Sequence, residues 1–249
     1  MSTSQSAHSP AERSAETRAR ILDAALSEFS AYGLAGARTD RIAAAAGVNK
    51  ALLYYYFSSK EGLYLAAFEL SAGKIRDRSM AALLKGVSPG ERILRTALDH
   101  FDRILAQHEF QGLMQQEMIR LSKGESKAIS ILVDRVFGPL QKIYQATFEE
   151  GISSGELISV DWKQSQLAVI GANVFYFISA PMMRQLDVAD PFDDGALALR
   201  RKSLVEFLGQ AIFQDRQHGA ELACRVLADT PMPAVERDRL PFWRKHERA

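Results

Sequence analysis

Thr39-Asp40-Arg41-Ile42-Ala43-Ala44-Ala45-Ala46-Gly47-Val48-Asn49-Lys50-Ala51-Leu52-Leu53-Tyr54-Tyr55-Tyr56-Phe57 is the stretch that decides how the chain folds. Thr39 has the side chain of a helix N-cap, and Asp40 places a negative charge in the first turn, where the helix dipole is positive. Ile42, Ala43 and Ala46 form one apolar side, and Gly47 supplies the left-handed residue that ends a helix. A second helix begins at Asn49. It can run only to about Phe57, because Ser58-Ser59-Lys60-Glu61 reads as a capping box, with Ser58 as cap and Glu61 three residues on. The stretch therefore predicts two short helices joined by the tight turn Ala46-Gly47-Val48-Asn49.

Immediately upstream, Ile21, Leu22, Ala25, Leu26 and Phe29 recur at helical spacing from about Thr17 to Gly33, giving a helix to pack behind the pair. Three helices so connected make a helix-turn-helix. Small residues on the inner side of the middle helix let the next one cross it closely. Leu53 and Phe57, four residues apart, then hold that last helix down. Asn49, Lys50, Ala51 and Leu52 remain at its exposed start, in position to enter a DNA major groove about 12 Å wide. Tyr54, Tyr55 and Tyr56 turn through about 300°, so their rings cannot all be buried together. Their hydroxyls, with Lys60 just beyond, suit phosphate oxygens, while Ala51 and Leu52 suit thymine methyls. A plain helical bundle with a tyrosine-rich surface is the alternative, but it has no need of so short a helix behind so tight a turn.

Farther out, helical periodicity continues and no sustained strand alternation occurs, so the expected class is all-α. Helices are expected from Ser58 to about Gly86, from the Ser88-Pro89-Gly90-Glu91 cap to about His108, and over Gly112–Leu121. Further helices are expected over Lys127–Ser154 with a kink at Pro139, from the Asp161 cap onward, and over Gly195–Phe213. The organisation reads as a disordered arm (1–16), a helix-turn-helix domain (17–60), a larger helical domain (61–228) and a tail (229–249). From Leu167 to Met183 almost every residue is apolar. The run is short of the roughly 20 residues of a membrane span, contains Pro181 and stands alone, so it reads as a helix covered on several sides and no membrane is expected.

An apolar fraction of 47% with 24% charged residues supports a folded core. Net charge is +1, which argues against an indiscriminate nucleic-acid binder. Residues 1–60 carry seven Lys/Arg and five Asp/Glu, a mild basic bias at one end. One cysteine, Cys224, excludes an internal disulfide and fits a reducing, cytoplasmic setting. No metal spacing, phosphate loop or catalytic signature occurs, so no enzyme activity, metal or cofactor is expected.

Residues 20–68 resemble the N-terminal domain of the TetR family of bacterial regulators. The resemblance is carried by Ile21-Leu22-Asp23-Ala24-Ala25, Phe29, Tyr32-Gly33, Thr39, Ile42-Ala43, Ala46-Gly47-Val48, Leu53-Tyr54, Tyr56-Phe57, Ser59-Lys60-Glu61 and Leu63. It implies phosphate contacts from Thr39, Tyr54, Tyr56 and Lys60, and a base-reading face of Lys50, Ala51, Leu52 and Tyr55 beside Asn49. Ala51 and Leu52 depart from the Gly and Thr or Ser common in the family, which makes that face more apolar. The resemblance further implies a homodimer on a palindromic, double-stranded operator, released by a small-molecule effector. A largely apolar pocket would draw on Met114, Met118, Phe137, Tyr144, Asn173 and Phe177. The apolar helix carries one stripe of Leu167, Ile170, Gly171, Val174, Phe175 and Ile178 and another of Ala168, Ala172 and Tyr176. The latter, with Leu204, Leu208 and Ile212, is the expected dimer face. The rival readings are a chromosome-organising or division-linked DNA binder on the same fold, and a helical enzyme or lipid carrier.

Overall fold

The computed structural model describes residues 9–85, 88–126, 128–186 and 190–234, and helices are their only extended regular elements. The chain divides into two compact units, Met1–Lys74 with Glu109–Val133, and Ile75–His108 with Asp134–Ala249. The first unit holds α1 (Pro10–Gly36), α2 (Thr39–Ala45), α3 (Lys50–Phe57), the opening of α4 (Lys60–Leu84), α6 (His108–Ser122) and α7 (Ala128–Leu132).

Helix α1 begins seven residues before the expected Thr17. Ser9 and Glu12 form a complete capping box around Pro10, so residues 10–16 are helical turns and not a disordered arm. Residues 1–8 lie outside the described residues. The helix breaks at Gly33, whose φ of 67° suits glycine, and a Cβ there would stand 2.7 Å from the Gln116 amide. Ile21, Leu22, Ala25 and Phe29 face Ile42, Leu53, Leu63 and Phe68 in one buried core, with Phe29 edge-on to Tyr64 at 5.0 Å.

Helix α6 belongs to this unit, which the expected boundary at residue 60 did not foresee. The Gln116 amide donates to the Ser30 carbonyl at 3.0 Å, and Phe110 stacks on Phe68. Fully buried Glu117 accepts from the Tyr64 hydroxyl at 2.6 Å, from the Arg120 guanidinium at 2.7 Å and from the Ser126 hydroxyl. Burial of the ring, with the hydrogen bond to Glu117 and its charge, pushes the Tyr64 phenol well above its usual range.

The second unit contains the remainder of α4, then α5 (Pro89–Ala106), a π-helical turn (Val133–Phe137), α8 (Gly138–Ser153), α9 (Trp162–Gln185), α10 (Asp194–Ala211) and α11 (Arg216–Ala228). Ser88, Asp161, Asp193 and Asp215 cap α5, α9, α10 and α11. In place of one helix kinked at Pro139, α7, a π turn and α8 follow one another, and Pro139 sits in the first turn of α8. Leu94, Leu98, Phe101, Phe148, Phe177, Leu204, Val205, Leu208 and Val226 share the core. Two ionic groups are sealed beside it. Arg201 of α10 holds Asp102 of α5 at 2.7 and 2.8 Å and also donates to the Thr230 and Pro231 carbonyls. Arg95 and Arg225 grip Glu91, and Arg95 reaches Asp229.

Candidate functional site

The candidate site begins with the turn. Gly47 adopts φ 65°, and its amide bonds the Ala44 carbonyl, so the chain reverses within the four expected residues. Asn49 caps α3: its Oδ1 accepts from the Leu52 amide at 2.7 Å. Leu53 and Phe57 are buried as their spacing requires. Ala51, Tyr54 and Tyr55 are exposed, Leu52 and Tyr56 half-buried, and Tyr55 is the most open at 78%. The helix thus presents one face and is gripped by the other.

Two caps sit one residue from their expected places. Thr39 is the first residue of α2 and follows Arg38, which makes no side-chain cap. Its side chain is buried, and its hydroxyl meets that of Tyr54 at 3.3 Å. At the next junction Ser59, not Ser58, caps α4, accepting from the Gly62 amide at 2.9 Å. Ser58 instead takes φ 60°, so the chain turns sharply between α3 and α4 on a residue other than glycine.

Several candidate contacts already have partners within the protein. The Lys50 ammonium lies 2.8 Å from the Asp40 carboxylate. The hydrogen bond and opposite charge hold Asp40 below the usual carboxylate range and raise Lys50. Lys60 donates to the Ala35 carbonyl at 3.2 Å, and Tyr56 meets Ser14 at 2.9 Å. All three groups sit on the first unit, with polar atoms placed and α3 fixed by apolar anchors.

Residues 21–67, the same segment, match the model of the bacterial regulatory proteins of the tetR family. Over this segment the head is similar to the N-terminal domain of that family. This TetR-type head is 51% identical over 53 residues to an HTH-type transcriptional repressor, SCO4008, of Streptomyces coelicolor, covering 21% of this chain and 28% of that protein. The chain therefore spans well under a third of that curated relative. Similarity in fold extends farther. A TetR transcriptional regulator from Chloroflexus aurantiacus superposes with a TM-score of 0.64 at 24% identity, covering 81% of this chain and 98% of that one. A transcriptional regulator from Saccharomonospora viridis in complex with choline gives 0.64 at 18% identity, covering 81% and all of that chain.

The expected pocket residues divide between the two units. Tyr144, Asn173 and Phe177 are buried in the second unit. Asn173 donates to the Ala97 carbonyl at 3.2 Å and shares a 3.2 Å contact with His100 Nδ1, while its own Oδ1 has no partner among the described residues. Burial pushes the His100 imidazole down to about 3, with the Arg103 charge adding to the effect. Met118 and Phe137 are at the surface, 56% and 38% exposed, and Met114 lies with Met118 in the first unit. Sequence reasoning did not pair His100 with Asn173, since nothing local couples it to an asparagine 73 residues away.

The expected dimer face also changes. Leu204, Leu208 and Ile212 are buried in the protomer's own core, because this side of α10 packs on α5 and α11. Tyr176 is half-buried, its hydroxyl bonded to the Pro191 carbonyl and its ring beside Phe101. Ala168 and Ala172 are exposed, together with the stripe Leu167, Ile170, Phe175, Ile178 and Met182. On α10 the open apolar residues are Leu199 and Phe207. Among the described residues α9 alone is long and apolar enough to cross a membrane. Val169, Asn173, Phe177 and Ala180 nevertheless point into the protein, so only one side of it is unpartnered. Among the described residues no group of three His, Cys, Asp or Glu side chains could hold a metal ion.

Proposed function

We propose that the protein is a homodimeric, sequence-specific transcriptional regulator of the cytoplasm, a repressor released from a palindromic double-stranded operator by a small, largely apolar effector. The observation that carries this reading is the exposed face of α3. Lys50, Ala51, Tyr54 and Tyr55 are exposed while Leu53 and Phe57 anchor the helix. Lys50 suits a guanine edge, and Ala51 with Leu52 suits thymine methyls. Tyr54, Tyr56 and Lys60 would meet phosphates, with Thr39 holding the Tyr54 hydroxyl in place and Asn49 fixing the helix start.

Dimerisation is supported by the one-sided apolar stripe of α9 and by Leu199 and Phe207 of α10. A single protomer leaves this surface open to water, and a second copy of the same face would cover it. The effector site is supported by Asn173. A buried acceptor without a donor costs about 1–3 kcal/mol, and a ligand carrying an N–H or O–H would meet it among aromatic side chains. Burial also disfavours a charge on His100, which favours an uncharged ligand.

Selection of bound sequences from a random duplex pool by the purified protein tests the reading. Enrichment of a palindrome that is lost with Tyr55→Ala is the expected result. Binding without sequence preference would sink it and favour a chromosome-organising role.

A further inference from the structure

The first 11 residues of α1, about three turns, precede the segment matched to the TetR family, and they are built into the head. Ser14 Oγ lies 2.9 Å from the Tyr56 hydroxyl at the far end of α3. The Arg18 guanidinium rests over the Phe57 ring at 5.3 Å, a cation–π contact that limits the side chain's freedom without neutralising it. Arg20 donates to the Ala46 carbonyl in the turn between α2 and α3. These turns therefore touch both ends of the reading motif.

Their charges are sorted. At about 100° per residue, Ser14 and Arg18 share the side that meets α3, and Arg13 and Arg20 lie on the adjoining side. Glu12, Glu16 and Asp23 gather on the far side. Glu12 is also engaged with the Ser9 backbone amide, and that contact lowers its carboxyl. Arg13, Arg18 and Arg20 are all exposed. A phosphate that meets Tyr56 would come within reach of Arg18 and Ser14, with Arg13 one turn farther out.

We propose that Arg13 and Arg18, with Ser14 beside Tyr56, form a second phosphate-contacting strip that lengthens the footprint on double-stranded DNA past the bases read by α3. The strip rests on the DNA-binding reading above, and it adds affinity without adding sequence information. Its partner is the sugar-phosphate backbone at the outer edge of each half-site. The complete capping box at Ser9 and Glu12 serves this role by keeping the leading turns helical, so the two arginines are presented at a fixed spacing.

The test measures the affinity of the full-length protein for a duplex selected by the wild type and for one random-sequence duplex, across a series of salt concentrations. Each lost phosphate contact lowers the slope of log K against log salt by about 0.9. The Arg13→Gln/Arg18→Gln variant is expected to lose about two such increments, by the same amount on both duplexes. Arg18→Lys, which keeps the charge, should restore one increment relative to Arg18→Gln. Arg13→Gln alone leaves the Phe57 contact intact and should lose one, which separates charge from folding. Unchanged slopes in variants that bind and melt like the wild type would overturn the strip. Failure of the wild type itself to bind either duplex would instead overturn the DNA-binding reading.

Discussion

Under the proposed function, Lys50 is the residue on which sequence reading by this head turns. In the free protein its ammonium is held by Asp40, so docking on a base edge exchanges one partner for another. Lys50→Ala should cost about 1–3 kcal/mol of operator affinity and relax the preference at one base pair of each half-site. A competition assay over operators altered one position at a time will show this. Equal losses on every operator would make Lys50 a backbone contact. His100 makes a prediction of a different kind. Folded, its imidazole is neutral down to about 3, whereas an unfolded histidine takes a proton near 6.5. Between those values the unfolded chain binds a proton that the folded chain refuses, so stability falls as pH drops below about 6.5. The slope approaches about 1.4 kcal/mol per pH unit. Urea unfolding at about pH 7 and about pH 5 should show a larger loss for the wild type than for His100→Gln. Equal losses would mean that the ring is protonated in the fold.

Among the elements, α6 has an unexpected allegiance. Glu117 ties it to Tyr64 of α4, and Gln116 ties it to Ser30 of α1. Glu117→Ala leaves Tyr64 and Arg120 without their acceptor and should destabilise the protein by about 3 kcal/mol, read from chemical denaturation. A loss below about 0.5 kcal/mol, the level of a surface change, would show that the cluster is solvated. None of this was legible in the sequence, because Tyr64 and Glu117 lie 53 residues apart and a carboxylate on a helix reads first as solvent-facing. The α2–turn–α3 pair was legible because each boundary has a local cause: Gly47 at positive φ, Asn49 as cap, Leu53 and Phe57 as anchors. The caps of α2 and α4 were misplaced by one residue, since Thr39 and Ser58 have side chains suited to capping and only their neighbours' backbone geometry decides. The start of α1 was in plain sight as Ser9-Pro10-Ala11-Glu12, hidden by the small polar residues around it. On α10, two apolar stripes competed for the inside. Leu204 and Leu208 won through Gly209 and Gly219, which let α10 and α11 approach so closely that a Cβ on Gly209 would stand 2.6 Å from the Gly219 carbonyl.

For the whole molecule, the proposed dimer depends on the apolar surface that α9 and α10 leave exposed. Phe175 and Phe207, 62% and 69% exposed, are the largest apolar groups on that side of α9 and α10. Burying a phenylalanine contributes about 1.5–3 kcal/mol, and each exposed ring counts twice in a symmetric pair. A Phe175→Asp/Phe207→Asp variant should sediment as a monomer at concentrations where the wild type is a dimer. It should also bind a palindrome no better than a single half-site. A dimer that survives both changes would place the interface elsewhere.

The junction between α3 and α4 has a mechanical consequence. Only Ser58 and Ser59 separate the two helices. Ser58 is fixed at φ 60°, the Ser59 amide is bonded back to the Phe57 carbonyl, and a Cβ on Gly62 would collide with that same carbonyl at 2.5 Å. Such a joint has no backlash. A tilt imposed on the opening turns of α4 would be passed on to α3, a helix of eight residues that is short enough to follow as one body. A spacer at this joint is expected to leave the proposed grip on DNA while freeing α3 from the opening turns of α4.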